Sequence, residues 1–198
     1  MAKQNEKQEQ IMVAAVKRLS HFGVHKTTLA EIADDLGITK QALLYYFADK
    51  QTLIKAVLDY IAKEYLQSLS KHLSLAKDFE EVLVQLVETR YAYLRKYYMV
   101  LCEFIHNDAP KTSDLISLKA YLHQQEQQAL ISFFNDALSV KEVRPTDAKS
   151  LVNLVQETLD AFAQSANPGH KIPEEKQIKE MMQKQKEIVR LIYRGIAA

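Results

Sequence analysis

An all-α fold is predicted by three features of the sequence. Glycine and proline are scarce, with four of each in 198 residues, so there are few points at which a helix is forced to stop. The common residues, Leu, Ala, Gln, Lys, Glu and Val, are mostly good helix formers. Apolar residues recur at three- and four-residue spacing along most of the chain, and no stretch reads convincingly as a strand. Hydrophobic residues make up 47% and charged residues 26%, ordinary globular usage at a length that can bury a real core.

The elements follow in order. Ile11, Ala14, Ala15, Leu19 and Phe22 recur at helical spacing, so a first helix is expected from about Lys7 to Phe22, ended by Gly23. Thr28 with Glu31 three residues on has the form of a capping box, in which hydroxyl and carboxylate each satisfy an orphan backbone N–H. A short helix therefore starts there, with Leu29, Ile32, Ala33 and Leu36 on one face, and stops at Gly37. Thr39 opens another, from Lys40 to about Phe47, and Asp49 caps a long fourth helix running to Leu66. Further helices are expected over Phe79–Tyr98, on to Asn107, from Thr112 or Ser113 to Leu138, from Pro145 or Thr146 to Ala166, and after the NPGHKIP stretch (167–173) to Tyr193. That makes nine, without internal repeats; QQEQQ (124–128) reads as a polar helix face.

The break at Gly37 carries the functional reading. Glycine adopts a positive φ that a side chain resists, so one helix can end and the next turn sharply away. Ala33 is small enough for a close crossing, and Ile32, Leu36, Ile38, Leu43 and Tyr46 fall where two such helices would share an apolar seam. This is a helix-turn-helix pattern. Its second helix enters the major groove, which puts Thr39, Lys40, Gln41 and Ala42 at base edges and phosphates. Gln41 suits adenine, Lys40 guanine or a phosphate, and the Ala42 methyl thymine. Tyr45 or Tyr46 can offer a hydroxyl to a phosphate, and Thr28 and Lys50 flank them as backbone grips, while Phe47 reads as a hydrophobic plug.

Residues 11–58, above all "TTLAEIADDLGITKQALLYYFADKQTL", resemble the N-terminal DNA-binding domain of the TetR family of bacterial transcriptional regulators. The shared pattern is Phe22-Gly23 at the end of the first helix, a Thr before the second, Ile32-Ala33, Gly37-Ile38-Thr39 at the turn, and Tyr46-Phe47 followed by Lys50. The resemblance carries Thr28, Thr39, Lys40, Tyr46 and Lys50 over as DNA contacts. At Gln41 the family often has a small residue, and at Leu44 usually a tyrosine. It implies a DNA-binding domain over 1–48 and a divergent helical domain over 49–198 that dimerises and binds a small effector.

The C-terminal sequence is consistent with both roles. Leu151, Leu154, Val155, Leu159 and Phe162 form one stripe, and Ile178, Met181, Gln185, Ile188 and Ile192 another, with Met182, Val189 and Ile196 alongside. The resemblance implies a homodimer through the helices 146–166 and 174–195, packed as a four-helix bundle. Tyr91, Tyr97, Tyr98, Cys102, His106 and Tyr121 are the candidate lining of an effector pocket, because aromatic rings with polar tips suit a flat or amphipathic molecule. Aromatic residues at helical spacing are more often plain core.

Other classes find less support. Glu103-x-x-His106 is half of a carboxylate di-iron pattern whose second half is absent, so no metal is expected. Cys102 and His106 lack any cue for an orienting acid or oxyanion site, and no cofactor is expected. The rival readings are a helical protein-interaction module and a small-molecule-binding enzyme. The polar start, the lack of an 18-residue apolar run and a single cysteine lead to a cytoplasmic expectation. Residues 1–66 hold nine Lys/Arg against eight Asp/Glu, so charge alone does not mark a nucleic-acid binder. The combined reading is a dimeric, ligand-responsive repressor with half-sites about 34–36 Å apart, one turn of DNA.

Overall fold

The computed structural model describes residues 2–105, 113–165 and 174–198, and their side chains except at 2–5, 102–105 and 113–115. Among the described residues there are nine helices: α1 (Ala2–Phe22), α2 (Leu29–Asp35), α3 (Lys40–Tyr46), α4 (Lys50–Ser74), α5 (Phe79–Lys96), α6 (Tyr98–Ile105), α7 (Ser113–Ser139), α8 (Ala148–Ser165) and α9 (Glu175–Ile196). The all-α expectation holds; the only strand-like pairing described is an isolated antiparallel bridge between Val143 and Ala197. No helix of the described residues is long and apolar enough to cross a membrane.

The chain divides into two compact units, residues 1–63 with 96–116, and residues 64–95 with 117–198. In the first, α1 packs on α2 and α6, and α2 packs on α3. Ile11, Ala15, Leu19, Ile32, Leu43 and Leu53 are all but fully buried there, each of the leucines and isoleucines contributing about 1.5–3 kcal/mol over its exposed state. Phe22 departs from the predicted stripe and is exposed. Its ring instead lies beneath the Arg18 guanidinium, 5.2 Å from the ring centre, a contact in which the cation meets the negative face of the π-system.

The second unit is built on a single apolar cluster from α4, α5, α7, α8 and α9, including Leu69, Phe79, Leu83, Leu86, Leu130, Phe134, Val155, Leu159 and Val189. Phe79 and Phe134 meet edge to face at 5.3 Å. Glu142 accepts the Phe79 amide at 2.8 Å, which satisfies one of the orphan donors at the start of α5. Helix α8 packs on α9. Leu154 is a correction to the predicted stripe: it is 55% exposed while Leu151, Val155 and Leu159 are buried, because residue 154 lies about 100° around the helix from the centre of the arc formed by 151, 155 and 159.

Candidate nucleic-acid interface

The turn between α2 and α3 forms as the sequence predicts. Gly37 has φ +62°, the left-handed region in which glycine carries no Cβ penalty. The Ile38 amide reaches back to the Ala33 carbonyl at 3.0 Å and the Gly37 amide to Asp34 at 3.0 Å, the Schellman arrangement that consumes the carbonyls at a helix end. Ala33 is buried, as a close approach of α3 requires. Ile32 and Leu43 form the buried centre of the seam, with Leu36, Ile38 and Tyr46 half-buried around it.

Hydrogen bonds fix both helix starts. Glu31 accepts the Thr28 amide and hydroxyl, each at 2.8 Å, and the Glu31 amide donates to the Thr28 hydroxyl at 3.3 Å. Thr28 therefore completes the predicted capping box. The Thr28 amide and hydroxyl, with Arg18 adding to them, hold the Glu31 carboxyl below its ordinary value. Thr39 accepts the Ala42 amide at 3.1 Å. Arg18 pairs with Glu31 at 3.1 Å and with Asp35 at 2.8 Å, so its charge is engaged in holding α1 against α2.

The outer side of α3 is open. Thr39, Lys40, Gln41 and Ala42 are exposed, and so is Thr28. Tyr45 is 72% exposed, whereas Tyr46 is half-buried and meets Tyr45 edge-on at 5.2 Å. Tyr45 is thus the more outward of the two rings. Phe47 is buried, as a plug would be. Lys50 is half-buried and its Nζ donates to the Val24 carbonyl at 2.6 Å, so part of its donor capacity serves the loop between α1 and α2.

Four of the six candidate pocket residues have described side chains. Tyr91 is buried in the second unit and Tyr121 in the same unit is 49% exposed. Tyr97, buried, and Tyr98, half-buried, belong to the first unit, with the Lys96 ammonium 4.9 Å from the Tyr97 ring centre. Cys102 lies on α6 with its side chain outside the described residues, and His106 lies outside them altogether. The Tyr91 hydroxyl is buried without a hydrogen-bond partner, and burial pushes it up to about 12, against the pull of Arg90. Among the described residues no group of His, Cys, Asp and Glu is placed to hold a metal ion.

Sequence reasoning missed a buried polar cluster in the second unit. Glu126, at the centre of QQEQQ, is buried rather than on a solvated face. Its Oε1 accepts Tyr65 Oη and Arg90 Nε at 3.1 Å, and its Oε2 accepts Arg90 Nη2 and Gln156 Nε2 at 3.2 Å. Arg90 Nη1 also reaches Asp160 at 3.2 Å. Burial works to raise the Glu126 carboxyl, but the Arg90 guanidinium outweighs it, and the group lies below its ordinary value. Burial, and then the Glu126 charge, drive the Tyr65 phenol well above its ordinary value. One signal was available: Leu122, Glu126, Ala129, Leu130, Phe133 and Ala137 recur at helical core spacing, with a carboxylate in the stripe.

Residues 11–57 match the family model described as "Bacterial regulatory proteins, tetR family". The HTH-type transcriptional regulator RutR of Escherichia coli strain K12 is 34% identical over 113 residues, covering 57% of this chain and 47% of RutR. The chain spans about half the length of the curated relatives it matches. A transcriptional regulator from Cytophaga hutchinsonii has a TM-score of 0.87 at 22% identity, covering 97% of this chain and 99% of that one. One from Saccharomonospora viridis, solved in complex with choline, has a TM-score of 0.76 at 18% identity, covering 98% and 99%. At these identities the solved structures speak for the fold alone.

Proposed function

We propose, for a chain that belongs to the tetR family of bacterial regulatory proteins and is a helix-turn-helix transcriptional regulator, that it acts as a dimeric, ligand-responsive repressor on a pseudo-palindromic operator. The observation that carries this reading is the exposed row Thr39, Lys40, Gln41, Ala42 and Tyr45 on α3, presented by a turn whose geometry depends on Gly37. Residues 1–48 are the DNA-binding domain and 49–198 the effector and dimerisation domain. Thr39, Lys40 and Gln41 meet base edges and phosphates, the Ala42 methyl meets thymine, and Thr28 and Tyr45 hold the backbone. Tyr46 and Lys50 contribute chiefly by packing and by bracing the loop between α1 and α2.

Dimerisation through α8 and α9 is supported by Leu154 and Leu191, 55% and 65% exposed on these two packed helices. Leucines in water on neighbouring helices gain by meeting their copies in a twofold bundle. The effector is a small molecule held in the second domain. The choline complex of the Saccharomonospora protein supports a ligand in this fold, and the unpartnered Tyr91 hydroxyl supplies a buried donor for one here. A cytoplasmic location accompanies a DNA partner.

Gel retardation with the DNA upstream of the chain's own gene tests the reading. The wild type should retard it, and Tyr45→Ala should weaken the shift while leaving the melting temperature unchanged. A wild type that retards this DNA no better than a scrambled duplex contradicts the reading.

A further inference from the structure

Helix α1 carries a row of side chains that its own chain leaves open. Glu9, Val13 and Lys17 stand four residues apart and are exposed, Val13 by 50%. Ile11, Ala15 and Leu19, on the opposite side of the helix, fill the core of the first unit. The row borders a shallow groove that Ala14 and Leu36, both half-buried, also line. Glu6 and Glu9 lie at one end of this groove and Lys17 at the other. Lys7 donates to Gln10 at 3.3 Å, but among the described residues neither Glu9 nor Lys17 enters an ion pair.

The signs at the two ends select what can cover this face. Glu9 and Lys17 each lie four residues from Val13, about 6 Å along the axis. A second copy of α1, turned end for end about a twofold axis at Val13, therefore sets Glu9 of each copy against Lys17 of the other. A parallel copy would set Glu9 on Glu9 and Lys17 on Lys17. Rows at four-residue spacing are the ones that meet in the commonest class of helix crossing, and the two Val13 side chains at the centre leave water together. The face is thus complementary in charge to itself, in one orientation.

We propose that the Glu9–Val13–Lys17 face of α1 is a second self-association surface, on which the first unit of one molecule pairs antiparallel with that of another. A contact between two single helix faces belongs to the weak end of interface sizes, so the pairing is reversible and concentration-dependent. It gains most where two molecules are already held close together, as on neighbouring operators. That the associating species are dimers rests on the α8–α9 interface proposed above; the α1 contact itself does not.

Sedimentation equilibrium of the full-length protein without DNA, from about 10 μM to about 1 mM, tests the pairing, with the melting temperature as a control for folding. The wild type should pass from dimer to tetramer in this range. Glu9→Lys and Lys17→Glu each turn two opposite-charge pairs into two like-charge pairs and should weaken this step by about tenfold or more. Glu9→Lys/Lys17→Glu exchanges the signs and should restore it to within about threefold of wild type. A wild type that stays dimeric throughout, with a dimer that the charge reversals leave intact, overturns the proposal. So does a double variant that associates no better than the single ones. If the wild type goes no further than a dimer and the single reversals dissociate it, the α1 pairing stands and the α8–α9 interface fails.

Discussion

Replacing Gly37 isolates the turn on which the helix-turn-helix depends. A Cβ built at this position meets nothing within 4 Å, so Gly37→Ala introduces no clash and its cost is conformational. Holding alanine at φ +62° costs about 1–2 kcal/mol. The lost freedom of the unfolded chain offsets about 0.4–1 kcal/mol of this. The net is about 1 kcal/mol, or about fivefold in the opening equilibrium of the helix pair. Asparagine visits the left-handed region far more readily, so Gly37→Asn should come out near neutral. Hydrogen exchange over residues 29–46 reads this opening without requiring the two units to unfold together. Gly37→Ala should raise exchange in α2 and α3 by about three- to tenfold and Gly37→Asn by less than about twofold. Equal acceleration by both, or by neither, would refute the assignment of the cost to the dihedral angle.

Further outcomes follow from the same structure. The Glu31 carboxyl is depressed in the folded state, so its contribution to stability is present above the unfolded value near 4.5 and is lost as pH falls through the folded value. The stability difference between wild type and Glu31→Gln, read from thermal melts, should be steady from pH 7 to 5 and shrink below about 4.5. Arg90→Met leaves the buried Glu126 charge without its counter-ion and should cost about 3–5 kcal/mol. Adding Glu126→Gln should recover a large part of this loss, and a double-mutant cycle in denaturant measures the coupling. Counting as phosphate contacts the two exposed lysines closest in sequence to the α2–α3 pair, Lys26 and Lys40, predicts a log-affinity against log-salt slope of about −4 for a dimer. A slope beyond about −7 would show that Lys3 and Lys7 of α1 contribute as well.

Much of the first unit was legible because its signals are local. The Thr28–Glu31 box, the Gly37 turn, the Thr39 cap and the start of α4 at Lys50 each depend on residues within four positions of one another, and each formed as expected. The extent of α4 was not legible. The expected helix ends at Leu66, but Leu69 and Leu73 continue its apolar series and are buried in the second unit. Phe22 was placed on a buried stripe by spacing alone, and Arg18, drawn to Glu31 and Asp35, lies over a ring left in solvent.

The Glu126 cluster was hidden for a different reason. Its members, Tyr65, Arg90, Glu126, Gln156 and Asp160, are separated by up to 95 positions, and polar residues on a helix are ordinarily read as its solvated side. What buries Glu126 is the convergence of α4, α5, α7 and α8, which no local window contains.

The central claim is that the exposed start of α3 reads DNA, and equilibrium binding of the full-length protein tests it most directly. Fluorescence anisotropy should be measured on the upstream duplex in competition with a random duplex, for wild type and for Lys40→Ala/Gln41→Ala. The wild type should prefer the upstream DNA by at least about 10³-fold. The double variant should lose about 30-fold or more of that affinity at an unchanged melting temperature. Equal binding of the upstream DNA by both proteins, or no preference by the wild type, would contradict it.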